Sequence, residues 1–274
     1  MAKRYVSSAF FLVIYLAIFV PHLASATVPA IFVLGDSTAD VGTNSMLPES
    51  LARADFPFYG IDFPNSRPTG RFSNGLIGAD FLAKLVGFKR SPQPFLYLSS
   101  LKSGLRRRMF RGVNFASGAS GLLDITGQTE AGTHLVYLSC KIVPLSEQIA
   151  QLATVISNRT AVMGQAATQA MLSESLFYIS VGSNDIFGYF FTNSTVPPEQ
   201  YIDFKNVEAA CCGSGRLNGE QPCTPKADLC LNRNEYLFWD LYHPTQAASK
   251  LAAITLYGGG PRFVTPINFA QLAA

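Results

Sequence analysis

Two histidines lie outside the first 26 residues, His134 and His243. His243 stands in Trp239-Asp240-Leu241-Tyr242-His243-Pro244, with a carboxylate three residues ahead of it. Within a single turn that spacing brings Asp240 to the imidazole Nδ1, the arrangement that orients a general base. The nearest acid to His134 is Glu130, and no carboxylate stands at a comparable spacing. A base so oriented serves a nucleophile, and Ser37 is the candidate. It follows an apolar run behind Gly35 and Asp36, where a strand-to-loop turn presents a side chain at the edge of a sheet. Asn184 follows a second apolar run and carries a side-chain NH₂. Gly121 closes a run of small residues and offers a backbone N–H with no Cβ to block approach. With the Ser37 amide these are three donors, enough for an oxyanion site. Singly, each has a plain alternative: Asp240 and His243 as a surface pair, Ser37 as a helix cap.

The elements that must position these groups are legible in outline. Residues 30–34 (AIFVL) read as a short buried strand of parallel type. Residues 42–73, rich in Pro, Asn, Gly and aromatics, read as a long irregular surface segment. Asn74 is expected to cap a helix over 75–86, which Gly87 ends. A short strand over 112–115 leads into the tight turn ASGASG at 116–121. Helices are expected over 145–156 and 161–172, and a second buried strand over 176–181 (LFYISV). The last helix starts near Pro244-Thr245, carries Ala247, Leu251 and Ile254 on one side, and stops at Gly258. Strands separated by helices, with chemistry-bearing residues just past the strand ends, indicate a doubly wound α/β sheet. Such folds place their sites at the carboxyl ends of the strands.

Four blocks in order resemble those of the plant GDSL esterase/lipases of the SGNH hydrolase superfamily. They are Gly35-Asp36-Ser37 with Asp40-Val41-Gly42 and Asn44; the run from Gly112 to Gly121 (GVNFASGASG); Val181-Gly182-Ser183-Asn184-Asp185; and Trp239 to Thr245 (WDLYHPT). The resemblance spans residues 30–257. It implies a three-layer αβα fold around an open, mainly parallel, flavodoxin-like sheet. It implies Ser37 as nucleophile, His243 as base and Asp240 as its orienter, with Ser37, Gly121 and Asn184 as oxyanion donors. Gly121 is preferred to Gly118 because the family's fixed glycine closes the small-residue run. Thr38 stands where the family has Leu, outside the chemistry. The larger departure is length: only 55 residues separate Asn184 from Asp240. The family has many more there, including a strand-end block, a long helix and a strand. The chain is therefore expected to lack strands on one side of the sheet, which leaves 176–181 at an edge. An apolar edge of that kind is an aggregation risk.

Composition bounds the rest. The 274 residues are 48% hydrophobic and 14% charged, which suits one large domain and excludes a disordered chain. Residues 1–26 read as a secretory signal peptide: Lys3 and Arg4, an apolar run over 9–20, and Ala24-Ser25-Ala26 for cleavage. Residues 27–274 then form a single, internally shortened domain. Without Lys3 and Arg4 the balance is 19 basic against 18 acidic residues, which argues against a nucleic-acid partner. Export favours disulfides over zinc among Cys140, Cys211, Cys212, Cys223 and Cys230, and five leaves at least one without an intrachain partner. Adjacent Cys211 and Cys212 are not expected to pair with each other. Asn158 and Asn193 head glycosylation sequons. Arg106, Arg107, Arg108 and Arg111 read as a solvated loop. Phe56, Phe58, Tyr59, Phe187, Tyr189, Phe190 and Phe191 either line an acyl pocket or pack the core. The expectation is a secreted serine ester hydrolase acting on an ester or lipid, with no metal, no cofactor and no stable membrane insertion. A catalytically impaired lipase-like protein or splice product is the alternative. A phosphate-binding α/β protein using ASGASG as a cradle is a remote one, for the chain lacks the Lys-Ser/Thr of a P-loop.

Overall fold

A computed structural model describes residues 28–102, 107–130, 138–139, 141–185, 204–261 and 264–272. Its first strand, β1 (Ile31–Gly35), is buried along its whole length. Helices α1 (Gly78–Leu85) and α2 (Phe95–Ser100) follow, then strand β2 (Gly112–Asn114). Helices α3 (Leu145–Met163) and α4 (Gln165–Ser173) lead to β3 (Leu176–Ser180). Two short strands, β4 (Asn206–Ala210) and β5 (Tyr236–Phe238), precede helix α5 (Gln246–Gly258).

The three-stranded sheet has the order β2-β1-β3, with both pairings parallel. Side chains alternate across β1, so its apolar residues divide between two cores. Ile31 and Val33 meet Ile77, Ala79 and Ala83 at α1, and α5 packs beside α1 in the same layer. Phe32 and Leu34 meet Leu98 of α2, Val155 of α3 and Met171 of α4 on the opposite face. The result is helix, sheet, helix: the three-layer α/β arrangement anticipated from the order of elements. Each fully buried Phe, Leu, Ile or Val in these layers contributes roughly 1.5–3 kcal/mol.

Strand β3 is only half covered. Leu176 is buried, but Phe177 is 38% exposed, although stacked on Phe32 at 5.2 Å, and Ile179 is 61% exposed. Among the described residues no strand pairs with its outer side. The run 176–181 is thus not a fully buried strand; among the described residues it lies at an edge, with apolar side chains uncovered as expected there.

Several local expectations need correction. Helix α1 begins at Gly78, not 75, and Asn74 does not cap it; the Asp80 carboxylate accepts the Ile77 amide instead. Asn74 Oδ1 accepts the Gln246 amide at 2.7 Å, and its Nδ2 donates to Asp62. Helix α3 runs unbroken through 157–160, between the two helices expected over 145–156 and 161–172, and Gly164 ends it. Helix α5 is capped by Thr245, whose Oγ1 accepts the Ala248 amide. It buries Ala248, Ser249 and Ala253, not the Ala247–Leu251–Ile254 side; Leu251 and Ile254 are 43% and 50% exposed. The small residues let α5 approach α1 closely, and that decides the face.

Residues 42–73 are irregular, but not superficial. Asn44, Ala54, Tyr59, Phe63 and Phe72 are buried, and Tyr59 and Phe72 join Trp239, Cys211, Cys212 and Cys223 in a third core. Phe56 and Phe58 pack against that cluster. Two disulfides staple it, Cys211–Cys230 and Cys212–Cys223, so the adjacent cysteines do pair elsewhere. Their loop supports the parallel pairing of β4 with β5, which the weak strand propensity of NVEAA gave no reason to expect. Cys140, His134, Arg106, Asn193, Phe187, Tyr189, Phe190, Phe191 and residues 1–26 lie outside the described residues. Arg107–Arg111 forms a short 3-10 turn.

Candidate active site

The site begins where β1 ends. Gly35 has φ +147°, and a Cβ there would stand 2.0 Å from the Ser180 carbonyl oxygen, so only glycine lets the turn approach β3. The Asp36 amide donates to Ser180 O at 2.9 Å, and the amides of Ala39 and Asp40 donate back to Asp36 O. Ser37 sits at the head of this turn, 6% exposed. Asp36 itself is a brace: its Oδ1 accepts Thr38 N and Thr38 Oγ1, and its Oδ2 accepts Ser183 Oγ. Thr38 also bonds Ser180 Oγ at 2.8 Å, so the departure from Leu at this position ties the turn to β3. Gln148 of α3, fully buried, bonds both polar groups of Gly35 from beneath.

The small-residue run lies beside this turn. Ser117 N and Ser120 Oγ both donate to Gly35 O. Asp40, fully buried, accepts the amides of Gly42, Thr43 and Asn44 and, at 3.0 Å, that of Gly118. One carboxylate thus clamps the Ser37 turn to the run that ends in Gly121. Burial pushes the Asp40 carboxyl up to about 6 against the pull of those amides. The Gly118 N–H is committed to Asp40, which leaves Gly121 as the free choice between the two glycines. Asn184 Nδ2 donates to Ser120 O at 2.8 Å, the carbonyl immediately before Gly121. Its neighbour Asp185 accepts the amides of Leu122 and Leu123, which directly follow Gly121, and Thr126 Oγ1. Gly121 and Asn184, 63 positions apart, are thereby brought together.

The other half of the site is the turn between β5 and α5. His243 Nδ1 lies 2.7 and 2.9 Å from the two Asp240 oxygens, and the amides of His243 and Tyr242 donate to Oδ1. The three-residue spacing produces the contact expected of it. Both side chains are nearly buried. Burial pushes the Asp240 carboxyl up, but the charge and hydrogen bond of His243, with bonds from Tyr59 and the Tyr242 amide, hold it below its ordinary value. The Trp239 amide donates to His243 O, which closes the turn. Phe72 joins the two halves: its ring lies 4.9 Å from the imidazole, and its edge lies against Gly118, where a Cβ would stand 2.6 Å from Cζ. Ser73 Oγ reaches Pro244 O on the same side.

A cleft of about 320 Å³ reaches Asp240 and Leu241 between Glu208, Arg216 and Glu220. A larger one of about 470 Å³ runs along Phe63, Arg67, Arg71 and Arg90, and neither is lined by Ser37 or His243. Sequence reasoning missed Asp40, Gln148 and Tyr59 as parts of the site. Asp40 was visible within the first block, but nothing in its spacing revealed four amide donors; Gln148 and Tyr59 act through contacts 113 and 181 positions apart.

The GDSL-like Lipase/Acylhydrolase family model matches residues 31–202. The chain is 28% identical to GDSL esterase/lipase At5g55050 of Arabidopsis thaliana, with 91% of each chain covered. It is 29% identical to GDSL esterase/lipase At1g71250 of the same plant, covering 90% of this chain and 89% of the other. GDSL esterase/lipase 6, also from Arabidopsis thaliana, is 28% identical over 91% and 92%. The first of these alignments is 352 residues long on a chain of 274, so about a hundred of its positions have no counterpart here. With its family matched over well more than half its length, the chain belongs to the GDSL-like lipase/acylhydrolase family of carboxylic ester hydrolases.

Proposed function

We propose that the chain is a secreted serine ester hydrolase that works through an acyl-enzyme on Ser37. The observation that carries this reading is the Asp240–His243 pair, bonded at 2.7 Å and joined through Phe72 to the loops that hold Ser37 and Gly121. Ser37 Oγ adds to the ester carbonyl while the free imidazole nitrogen of His243 takes its proton. The oxyanion so formed faces the amides of Ser37 and Gly121 and the Asn184 NH₂. Collapse expels the alcohol, which leaves with the proton from His243. Water then attacks the acyl group, His243 accepts its proton and returns one to Ser37, and the acid departs. The pair of disulfides supports an oxidising compartment, as does the apolar N-terminal run with its A-x-A site. Among the described residues no helix is long and apolar enough to cross a membrane. Exposed Asn158, on the surface of α3, is available for glycosylation.

A second reading has its own observation. Ile179 and Phe177 are exposed on an edge strand, and about a hundred positions of the alignment with a relative have no counterpart here, which favours an impaired, lipase-like protein. An organophosphonate probe on the purified, exported chain separates the two. Covalent labelling that is lost in Ser37→Ala and reduced in His243→Ala supports the hydrolase. Absence of labelling in a folded chain supports the impaired form, and labelling that survives Ser37→Ala removes Ser37 from the mechanism.

A further inference from the structure

Phe56, Phe58 and Tyr59 are candidates for an acyl pocket on sequence, yet Tyr59 points its hydroxyl to Asp240. Its Oη donates to Asp240 Oδ2 at 2.6 Å. The two oxygens of Asp240 are served unequally. Oδ1 accepts two backbone amides and His243 Nδ1, while Oδ2 has Tyr59 and the longer 2.9 Å contact to the same imidazole nitrogen. Tyr59 is 6% exposed and is held edge-on by Phe56 at 5.1 Å, with Phe72 and Trp239 at 6.2 Å. Its ring therefore has little freedom, and its hydroxyl stays on the carboxylate. Burial and the adjacent Asp240 charge push the phenol well above its ordinary range, so it remains a protonated donor.

We propose that Tyr59 is a positioning residue that acts through Asp240. It fixes the plane of the carboxylate and withdraws part of its negative charge from His243. The inference rests on the Ser37–Asp240–His243 reading given above. Without the phenol, Oδ2 faces the imidazole alone. The full carboxylate charge then favours the protonated ring, and His243 becomes a functional base only at higher pH. Among the described residues, Tyr242 lies beside His243 on the same turn, and Glu208, Arg216 and Glu220 line the cleft that reaches Asp240. Tyr59→Phe changes none of these groups, so a shift is referred to the lost phenol hydroxyl.

The test is the pH dependence of short-chain aryl ester hydrolysis by the full chain, with the His243 ring followed in parallel by NMR. A hydrogen bond to a charged group commonly changes an equilibrium by about tenfold or more. Tyr59→Phe is therefore expected to move the acid limb of kcat/KM upward by on the order of one pH unit. It should also lower the plateau kcat by about tenfold with little change in KM. 3-Fluorotyrosine placed at position 59 keeps size and hydroxyl but donates more strongly, and should move the limb the opposite way. The NMR titration must follow both shifts, and it reads the pair even where turnover is slow. A fall in melting temperature with neither the limb nor the titration displaced would reduce Tyr59 to a packing residue and overturn the proposal. The Ser37→Ala probe experiment tests the underlying triad separately: its failure removes the triad, whereas its success with an unmoved titration removes only the role of Tyr59.

Discussion

Gly121→Ala adds a single methyl group at the point where the small-residue run meets Asn184 and Asp185. Gly121 does not adopt a left-handed φ, so its backbone tolerates alanine; space is the constraint. The new Cβ would stand 2.5 Å from Thr126 Cγ2 and 2.6 Å from each Asp185 oxygen. Ordinary contact needs about 3.4 Å, so the loop or the Asp185 carboxylate must yield by most of an ångström. Asp185 cannot yield freely, since three donors from Leu122, Leu123 and Thr126 hold it. The displacement therefore falls on the Gly121 amide, on the neighbouring Asn184, or on both. A misplacement of about 1 Å costs on the order of a hundredfold in rate, and loss of one oxyanion donor costs about 10²–10³. Hydrolysis of a short-chain aryl ester should show kcat reduced by about 10²–10³ with KM changed far less. Gly118→Ala is the control: it also clashes, with Phe72 and Asn44, but its amide already serves Asp40. It should lower the melting temperature and, through Phe72 against His243, slow turnover less than Gly121→Ala does, since no oxyanion donor is displaced. If Gly121→Ala keeps wild-type kcat while folded, Gly121 is not an oxyanion donor and the argument from the Asp185 brace fails.

Arg71→Met should destabilise the fold by about 3–5 kcal/mol in urea unfolding, because the fully buried Asp80, which now accepts both Nε and Nη2 of Arg71, loses its counter-charge and keeps only the Ile77 and Ser91 amides. Replacing Cys212 and Cys223 with Ser opens an 11-residue link behind Trp239 and Asp240. A melting scan should show a fall of about 10 °C, and turnover should fall with it as the Asp240 turn loosens. Asp40 binds its proton more tightly in the fold, at about 6 against an ordinary 3.8. Its linked contribution is thus full below about pH 4, declines as pH rises to about 6, and is flat beyond. Unfolding free energies measured across that range should lose this slope in Asp40→Asn, which should also be less stable at neutral pH by about 2 kcal/mol because the amide cannot accept four N–H groups.

Short-range chemistry was readable from the chain itself. The contact of Asp240 with His243 follows from a three-residue spacing in one turn, and the burial of β1 follows from five consecutive apolar residues before a glycine. The doubly wound α/β order followed from strands alternating with helices, whereas the edge position of β3 was implied by the resemblance to a family whose members are longer before Asp240. What the chain alone gave succeeds because it rests on neighbours in sequence or on the order of elements along it. The rest depended on contacts between distant residues. The face that α5 buries was set by close approach to α1, not by its largest apolar residues. Asn74 left the helix start for Gln246, 172 positions away, while Asp80 took over the Ile77 amide. The irregular segment 42–73 became a core because Trp239 and two disulfides cover it, and Tyr59 turned from a pocket aromatic into a donor to Asp240, 181 positions away. Hydrogen bonds and packing of this kind carry no local signature: a tyrosine bound to a carboxylate and a tyrosine lining a pocket are the same letter until the chain has folded.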